Sequence, residues 1–247
     1  MVVPVYNEPR IERTLAGLYG QAHRDGVHHY VVDNGSTDDT RARIDAFQAA
    51  HADFPLTVLE EAQKGTGAAS DTGFRQAAAD GFRVVARTDG DSVPSPSWTG
   101  RIALGFAAEP TVQLLGGASK ALDDQYLRRG DGVLLSVAVR GARVALSLQH
   151  RDGDYRHAVV GHNMATRSIA YELVGGFERT AIDARDEDVD YSLKIAKQFG
   201  RGAIQIDPAM HVATSMRRVR EYGISGTALH HLFPGRRTRS SKEIDVR

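Results

Sequence analysis

Residues 28–47 read HHYVVDNGSTDDTRARIDAF and contain the signals of one strand, one turn and one helix, in that order. The first part is apolar and rich in β-branched residues, which is typical of a buried strand. Asp, Asn, Gly and Ser follow, and these residues favour a turn. Ser36 or Thr37 can then cap a helix that carries Ile44 and Phe47 on one face. We therefore predict a strand that ends in a polar turn and continues into a helix.

The same order of elements repeats along residues 1–91. Helix signals begin at Pro9, and an Ala-rich helix is predicted from Gly67 to Asp80. The predicted strands are Met1–Val5, His28–Asp33, Pro55–Glu60 and Phe82–Thr88. This alternation predicts an α/β fold with a mostly parallel sheet that is covered by helices on both faces. Functional loops are expected at the carboxyl ends of the strands.

Beyond residue 91 the alternation is less regular. Pro94 and Pro96 predict a loop. For residues 118–157 the sequence does not decide between a loop and an apolar helix. The further predicted elements are the helices Trp98–Ala108, Ile169–Val174 and Asp186–Phe199, and the strands Val112–Gly116, Ala203–Ile206 and Met210–Ala213. We predict one domain over residues 1–214, with a tail over 215–247.

The composition excludes several classes of protein. None of the 247 residues is Cys, which excludes disulfide scaffolds, thiolate zinc sites and Cys nucleophiles. No apolar run reaches the roughly 18 residues that a membrane span requires. No export signal is recognisable, so the cytoplasm is the expected location. The longest apolar run, residues 133–148, could pack in the core, pair with a second copy of the chain or lie peripherally on a membrane.

The charge is balanced over the whole chain but not along it. A net charge of zero argues against a general nucleic-acid binder. Residues 215–247 nevertheless hold eight basic and three acidic side chains, so the tail is basic and the preceding body is acidic. Such an asymmetry calls for a physical reason.

Three strand ends carry polar residues that could take part in chemistry. Tyr6 follows the first strand and could stack on a base. Asp33 ends the second and could accept hydrogen bonds from a ribose or a base N–H. Asp89 and Asp91 follow the fourth, one residue apart on a bend, where they could share Mg²⁺ or Mn²⁺. Each motif also fits an ordinary turn when it is taken alone.

A second acidic group begins the predicted helix at residue 186. Its carboxylates are Asp186, Glu187, Asp188 and Asp190. Acidic residues favour a helix amino terminus, but four within five residues exceed what capping requires. A general base is therefore a candidate role. His211, on a late strand, is either a metal ligand or a buried structural histidine.

In this order, these features resemble a family 2 glycosyltransferase with the GT-A fold. The segments that carry the resemblance are Val3-Pro4-Val5-Tyr6-Asn7-Glu8, Asp33-Asn34-Gly35-Ser36-Thr37-Asp38, Lys64-Gly65, Asp89-Gly90-Asp91, Gly161-His162-Asn163-Met164-Ala165, Gly175-Gly176-Phe177 and Glu187-Asp188. They span roughly residues 1–215. The resemblance implies that residues 1–91 form a nucleotide-binding part and residues 92–214 an acceptor part.

The resemblance also implies individual roles. The residues around the nucleotide would be Pro4, Tyr6, Glu8, Asp33, Lys64 and Asp89. Asp91 would bind the divalent metal, with Asp89 in support, and His211 matches a further metal ligand in some such enzymes. Asp188 would be the catalytic base, beside Glu187. Asn163 and its neighbour His162 would face the donor sugar or the acceptor.

The implied reaction is the metal-dependent transfer of one sugar, with inversion, from a nucleotide-diphosphate sugar to a hydroxyl acceptor. The resemblance favours a UDP-sugar. The alternatives are a sugar nucleotidyltransferase and a nucleotide-binding protein without catalysis. The first would carry a Gly-rich basic loop after its first strand, and this chain has Tyr6-Asn7-Glu8-Pro9-Arg10 there. Intact Asp89, Asp91 and Asp188 argue against the second.

The basic tail begins just after His211, close to the expected diphosphate. We therefore expect Arg217 and Arg218 to form a lid over the phosphates of the donor. Beyond about Pro234 a solvated or disordered terminus is the expectation.

Overall fold

The computed structural model describes residues 1–122, 158–179, 187–215 and 217. The helices in these residues are α1 (Ile11–Tyr19), α2 (Thr40–Ala50), α3 (Thr66–Ala79), α4 (Trp98–Ala108), α5 (Ser168–Leu173) and α6 (Glu187–Phe199). The strands are β1 (Val2–Val5), β2 (His29–Asp33), β3 (Leu56–Glu60), β4 (Val84–Arg87), β5 (Ser92–Pro94), β6 (Leu114–Ala121), β7 (Met164–Arg167) and β8 (Ile204–Thr214). Short 3-10 turns cover Gly161–Asn163 and Arg201–Ala203.

The strands form one sheet with the order β3-β2-β1-β4-β7-β6-β8-β5. The first four of these strands run parallel, with Val3 opposite Val31 and Tyr30 opposite Thr57. β7 is antiparallel to both β4 and β6, β8 runs parallel to β6, and β5 is antiparallel to β8. The predicted mostly parallel α/β sheet is confirmed. Strands from residues 1–91 and from 92–214 share this one sheet.

Two apolar cores cover the two faces of the sheet, because successive residues of a strand point to opposite sides. On one face Val3 and Val31 pack with residues of α1, α2 and α4, including Leu15. On the other face Val2 and Val32 pack with residues of α3, α5 and α6. Helices therefore cover both faces, as predicted.

The structure corrects the predicted position of the cap of α2. This helix begins at Thr40, not just after Ser36 or Thr37. The Ser36 hydroxyl accepts a hydrogen bond from the Asn7 N–H at 3.0 Å, and Asn7 Oδ1 accepts one from the Thr37 N–H at 2.8 Å. Both residues are therefore used to join two strand ends, and Asp38 instead accepts from the Thr40 N–H at 3.0 Å.

The second half of the chain differs from prediction in three strands. The two short strands predicted around residues 203–213 are one strand, β8, whose pairing with β6 is interrupted by a register shift after Gly117. Pro94 lies in the short edge strand β5 and not in a loop, since an edge position tolerates a residue without an N–H. β6 continues to Ala121, beyond its predicted end at Gly116.

Several predictions fall on residues that the structure does not describe. They are the apolar run at 133–148, Asp186, Arg218 and the tail beyond residue 217. Among the helices of the described ranges, none has the length and apolar character needed to cross a membrane.

Candidate active site

The polar residues at the carboxyl ends of β1 and β2 contact each other. Asn7 follows β1 with a φ of 46°, a left-handed conformation that Asn tolerates. Its contacts with Ser36 and Thr37 tie the turn after β1 to the turn after β2. Asp33 is 7% exposed and accepts a hydrogen bond from the Ser36 N–H at 2.9 Å. The parallel register of the two strands thus brings these predicted residues to one edge of the sheet.

Lys64 crosses from the loop after β3 to this same edge. Its Nζ donates to the carbonyl oxygens of Asn34 and Gly35 at 2.9 and 3.0 Å. The same ammonium lies 3.9 Å from the centre of the Tyr6 ring, which is cation–π geometry. Pro4 is buried within β1. Four of the predicted nucleotide residues, Pro4, Tyr6, Asp33 and Lys64, therefore occupy adjoining strand ends and loops.

Glu8 and Asp91 lie on either side of one guanidinium. Arg217 donates from Nη2 to Glu8 Oε2, and the same nitrogen is 3.3 Å from Asp91 Oδ2. Burial raises the pKa of Glu8, the nearby Asp91 carboxylate raises it further, and Arg217 opposes both. Thr14 and Ser215 also line the adjoining cleft, which has a volume of about 110 Å³.

Asp89 contacts a different arginine, which comes from the end of β4. Arg87 Nε donates to Asp89 Oδ1 at 3.0 Å, and Arg87 Nη1 donates to Glu187 Oε1 at 2.9 Å. The Arg87 side chain is 3% exposed, whereas that of Asp89 is 32% exposed. The acidic turn after β4 and the start of α6 are therefore connected through one buried cation.

Asp188, the next residue of α6, is oriented by backbone donors. Its Oδ2 accepts from the Gly161 N–H at 2.7 Å, and its Oδ1 accepts from the Val189 N–H at 2.7 Å. The direction of the carboxylate is thus fixed by the backbone.

The structure places Asn163 inside the fold and not on an open surface. It is fully buried, and its Oδ1 accepts from Trp98 Nε1 at 2.8 Å. Its Nδ2 donates to the carbonyl oxygens of Ala118 and Met210, each at 2.9 Å. A side chain at Gly117 would collide with this amide and with the Met210 carbonyl. Three hydrogen bonds within the fold therefore hold the amide, and its contact with the donor sugar or the acceptor stays a prediction.

The two predicted histidines lie on other parts of the sheet. His162 Nε2 is 2.7 Å from Ser119 Oγ of β6. His211 lies within β8, and its Nδ1 is buried without a hydrogen-bond partner. At about 3.3 Å per residue, His211 is roughly 13 Å along the chain from Ser215, whose N–H donates to the Asp91 carbonyl. The metal role of His211 stays a prediction.

Arg87 is the residue at this site that sequence analysis does not single out. A signal for it exists in the sequence, since a charged residue ends the otherwise apolar run Val84–Arg87. Arginine is almost never fully buried unless it is paired. Its partners lie two and 100 residues away in the chain, so no local pattern could identify them together.

The residues and their order match one known family. Residues 1–171 match the sequence model of glycosyl transferase family 2. This chain belongs to glycosyltransferase family 2. Over 245 residues it is 31% identical to glycosyltransferase AglE of Haloferax volcanii, covering 89% of this chain and 76% of that protein. It is 29% identical over 132 residues to polyprenol monophosphomannose synthase of Mycolicibacterium smegmatis, covering 53% and 46% of the two chains.

Solved structures of glycosyltransferases share the fold. Mannosyltransferase PcManGT from Pyrobaculum calidifontis, in complex with GDP-Man and Mn²⁺, has a TM-score of 0.66 and 25% identity over 90% of this chain. This chain spans 59% of that protein. Glucosyl-3-phosphoglycerate synthase from Mycobacterium tuberculosis, with Mn²⁺, UDP-glucose and phosphoglyceric acid, has a TM-score of 0.63 and 19% identity over 94% of this chain and 76% of its own. The predicted family and GT-A fold are confirmed.

The family implies a divalent metal, and the chemistry of the Asp91 surroundings fits one. Glu8 and Asp91 supply hard carboxylate oxygens, the ligand type that Mg²⁺ and Mn²⁺ prefer. Both oxygens already face a positive charge, that of Arg217. Across the described ranges, no group of three or more His, Cys, Asp or Glu side chains is close enough to form a metal site.

Proposed function

We propose that this family 2 glycosyltransferase transfers one sugar, with inversion, from a nucleotide-diphosphate sugar to a hydroxyl acceptor. One observation carries the proposal, namely that three groups of side chains belong to one connected site. Lys64 lies over the ring of Tyr6, where a nucleotide would bind. Glu8 and Asp91 face the cation of Arg217, and acidic residues begin α6.

The donor binds at the carboxyl edge of the parallel strands. Asp33 takes a base or ribose donor group, Tyr6 presents its ring to the base, and Lys64 carries the positive charge nearest the nucleotide. The sequence resemblance favours uracil as the base. Two of the similar enzymes were solved with GDP-Man and UDP-glucose respectively, so both nucleotide types belong in the test.

Asp91 would hold the metal with Asp89 in support, and Glu8 lies on the other side of the same position. When bound, Mg²⁺ or Mn²⁺ stabilises the charge that develops on the diphosphate leaving group. Among the described residues, Arg217 contacts both carboxylates, and it would contact the donor phosphates when the donor is bound. Arg218 is proposed for the same lid on its position in the sequence alone.

Asp188 acts as the general base. Glu187 is a weaker candidate because its carboxylate is already paired with Arg87. Asp188 accepts the proton of the acceptor hydroxyl while the hydroxyl oxygen bonds to the anomeric carbon. The diphosphate departs from the opposite face with the electron pair of the broken bond. One such displacement inverts the configuration at that carbon.

The test is transfer or hydrolysis of UDP- and GDP-sugars with Mn²⁺ or Mg²⁺, followed by nucleotide release and by product mass spectrometry. For Asp188→Asn we expect turnover to fall by at least about 100-fold, the usual range for loss of a general base, with UDP or GDP binding retained. For Asp91→Asn we expect loss of the metal-dependent part of nucleotide binding.

The matched control is Asp45→Asn, the same substitution on the exposed face of α2, where Asp45 pairs with Arg41. It should leave turnover unchanged. Full activity of Asp91→Asn would contradict the metal assignment. Unchanged turnover of Asp188→Asn would move the base to Glu187 or Asp186. Nucleotide binding without turnover of any donor would favour a binding protein.

A further inference from the structure

Arg87 is a buried cation between two carboxylates from distant parts of the chain. Its side chain is 3% exposed, and its Nε and Nη1 donate to Asp89 and Glu187 at 3.0 and 2.9 Å. A buried charge is costly unless it is paired and hydrogen-bonded. Glu187 is 19% exposed, so the Arg87–Glu187 pair is shielded from water much more than a surface ion pair.

The guanidinium of Arg87 also packs against the backbone of Gly161. A Cβ on Gly161 would come within 2.8 Å of Arg87 Cζ, so the glycine backbone packs directly against the guanidinium plane. The N–H of the same glycine donates to Asp188 Oδ2 at 2.7 Å. Arg87 therefore reaches Asp188 by two routes: through Glu187 in α6, and through the backbone of Gly161.

The charges at this point are mutually dependent. Burial alone would lower the pKa of Arg87, but the carboxylates of Asp89, Glu187 and Asp188 outweigh burial and raise it.

We infer that Arg87 is a positioning residue of the transfer reaction. It holds the Asp89 turn and the amino terminus of α6 in one arrangement, and through the backbone of Gly161 it fixes the direction of the Asp188 carboxylate. This inference rests on the proposed function, in which Asp89 belongs to the donor site and Asp188 is the base. The positioning role depends on the forked shape of the guanidinium, which lets one side chain donate to two carboxylates at once.

The first variant is Arg87→Lys, which keeps the charge but not the fork. We expect a folded protein that keeps most of its UDP or GDP affinity, because Tyr6, Asp33 and Lys64 take their contacts from other elements and only Asp89 among the proposed nucleotide residues contacts Arg87. We expect kcat to fall by about 100-fold, the effect of misplacing a reacting group by about 1 Å. The donor KM should change little.

The matched control is Arg43→Lys. Arg43 also contacts two carboxylates, Glu12 and Asp39, each at 2.8 Å, but it joins α1 to α2 at the surface. Its kcat should equal that of the wild type. If the kcat of Arg87→Lys also equals that of the wild type, the positioning role is wrong.

The second variant separates positioning from stability. Arg87→Gln alone should destabilise the fold, because it leaves Glu187 without its counter-charge. Adding Glu187→Gln removes that charge and should restore the denaturant midpoint. If Arg87 positions Asp188, kcat stays low in the double variant. Recovery of kcat together with stability would show that the ion pair only supports the fold.

A readout without turnover keeps the inference testable if the proposed function fails. In Arg87→Lys we expect faster amide hydrogen exchange at residues 158–163 and 187–193, with exchange in β1 and β2 unchanged. A wild-type chain that turns over no donor would contradict the proposed function alone. Unchanged exchange in both segments would overturn the positioning role, whatever the donor result.

Discussion

Replacing Asn163 by alanine tests whether this residue supports the fold or contacts substrate. The amide makes three hydrogen bonds, one from Trp98 and one to each of the Ala118 and Met210 carbonyls. These partners come from α4, β6 and β8, so the residue joins three elements. Alanine leaves all three partners without their bond at a fully buried position.

The cost follows from the number of groups left unpaired. Each buried donor or acceptor that loses its partner costs about 1–3 kcal/mol. Three such groups, with some relaxation, give a loss of about 4 kcal/mol in the free energy of unfolding. For a chain of this size that corresponds to a fall in Tm of about 8–16 °C. Trp98→Phe removes only one of the three bonds and should cost about 1–2 kcal/mol.

The assay is urea unfolding of Asn163→Ala, Trp98→Phe and His162→Ala, followed by circular dichroism. His162 is the adjacent residue and its contact with Ser119 is exposed, so its variant should lose less than about 1 kcal/mol. If Asn163→Ala unfolds within about 1 kcal/mol of the wild type and instead raises the KM for donor or acceptor, the structural role is refuted and the predicted sugar contact is supported.

Two further predictions concern protonation and metal binding. Burial lowers the pKa of His29 from 6.5 to about 3, so below pH 6.5 the unfolded chain binds a proton that the folded chain excludes, and stability falls by about 1.4 kcal/mol per pH unit. The free energy of unfolding of His29→Gln, taken relative to that of the wild type, should therefore be about 3 kcal/mol higher at pH 4.5 than at pH 8. Equal differences at both pH values in denaturant titrations would contradict this. Arg217→Gln removes the cation beside Asp91. Calorimetry should then show that Mn²⁺ binds about 3- to 10-fold more tightly, because a partly exposed ion pair is worth about 1 kcal/mol. Weaker binding of Mn²⁺ would show that Arg217 does not compete with the metal for the site.

The parallel half of the sheet could be predicted from local patterns. The runs at β1, β2, β3 and β4 are apolar and end in turn residues, and burial on both faces of a parallel sheet requires such runs. Helix α4 begins and ends where its pattern predicts, at Trp98 and Ala108. Errors occur where tertiary pairing decides the backbone. Two short strands are predicted around residues 203–213, yet pairing with β6 on both sides of a register shift makes them one strand.

The site could be predicted by residue type more readily than by contact. Polar residues at parallel strand ends must share one edge of the sheet, which is why Tyr6, Asp33 and Lys64 are found together. Asn163 lies in a segment typical of the family, but its orientation depends on where α4, β6 and β8 meet. No local pattern contains that information.

The sequence by itself determined the α/β class, the family and the carboxylates that we propose for the chemistry, because strand and helix periodicity, turn residues and short motifs are local properties of the chain. Only the tertiary structure decided how those charges are paired. Arg87 joins Asp89 to Glu187, and Arg217 stands between Glu8 and Asp91. A buried charge takes whichever opposite charge the fold brings within hydrogen-bonding distance, and that choice depends on the packing of elements far apart in the chain.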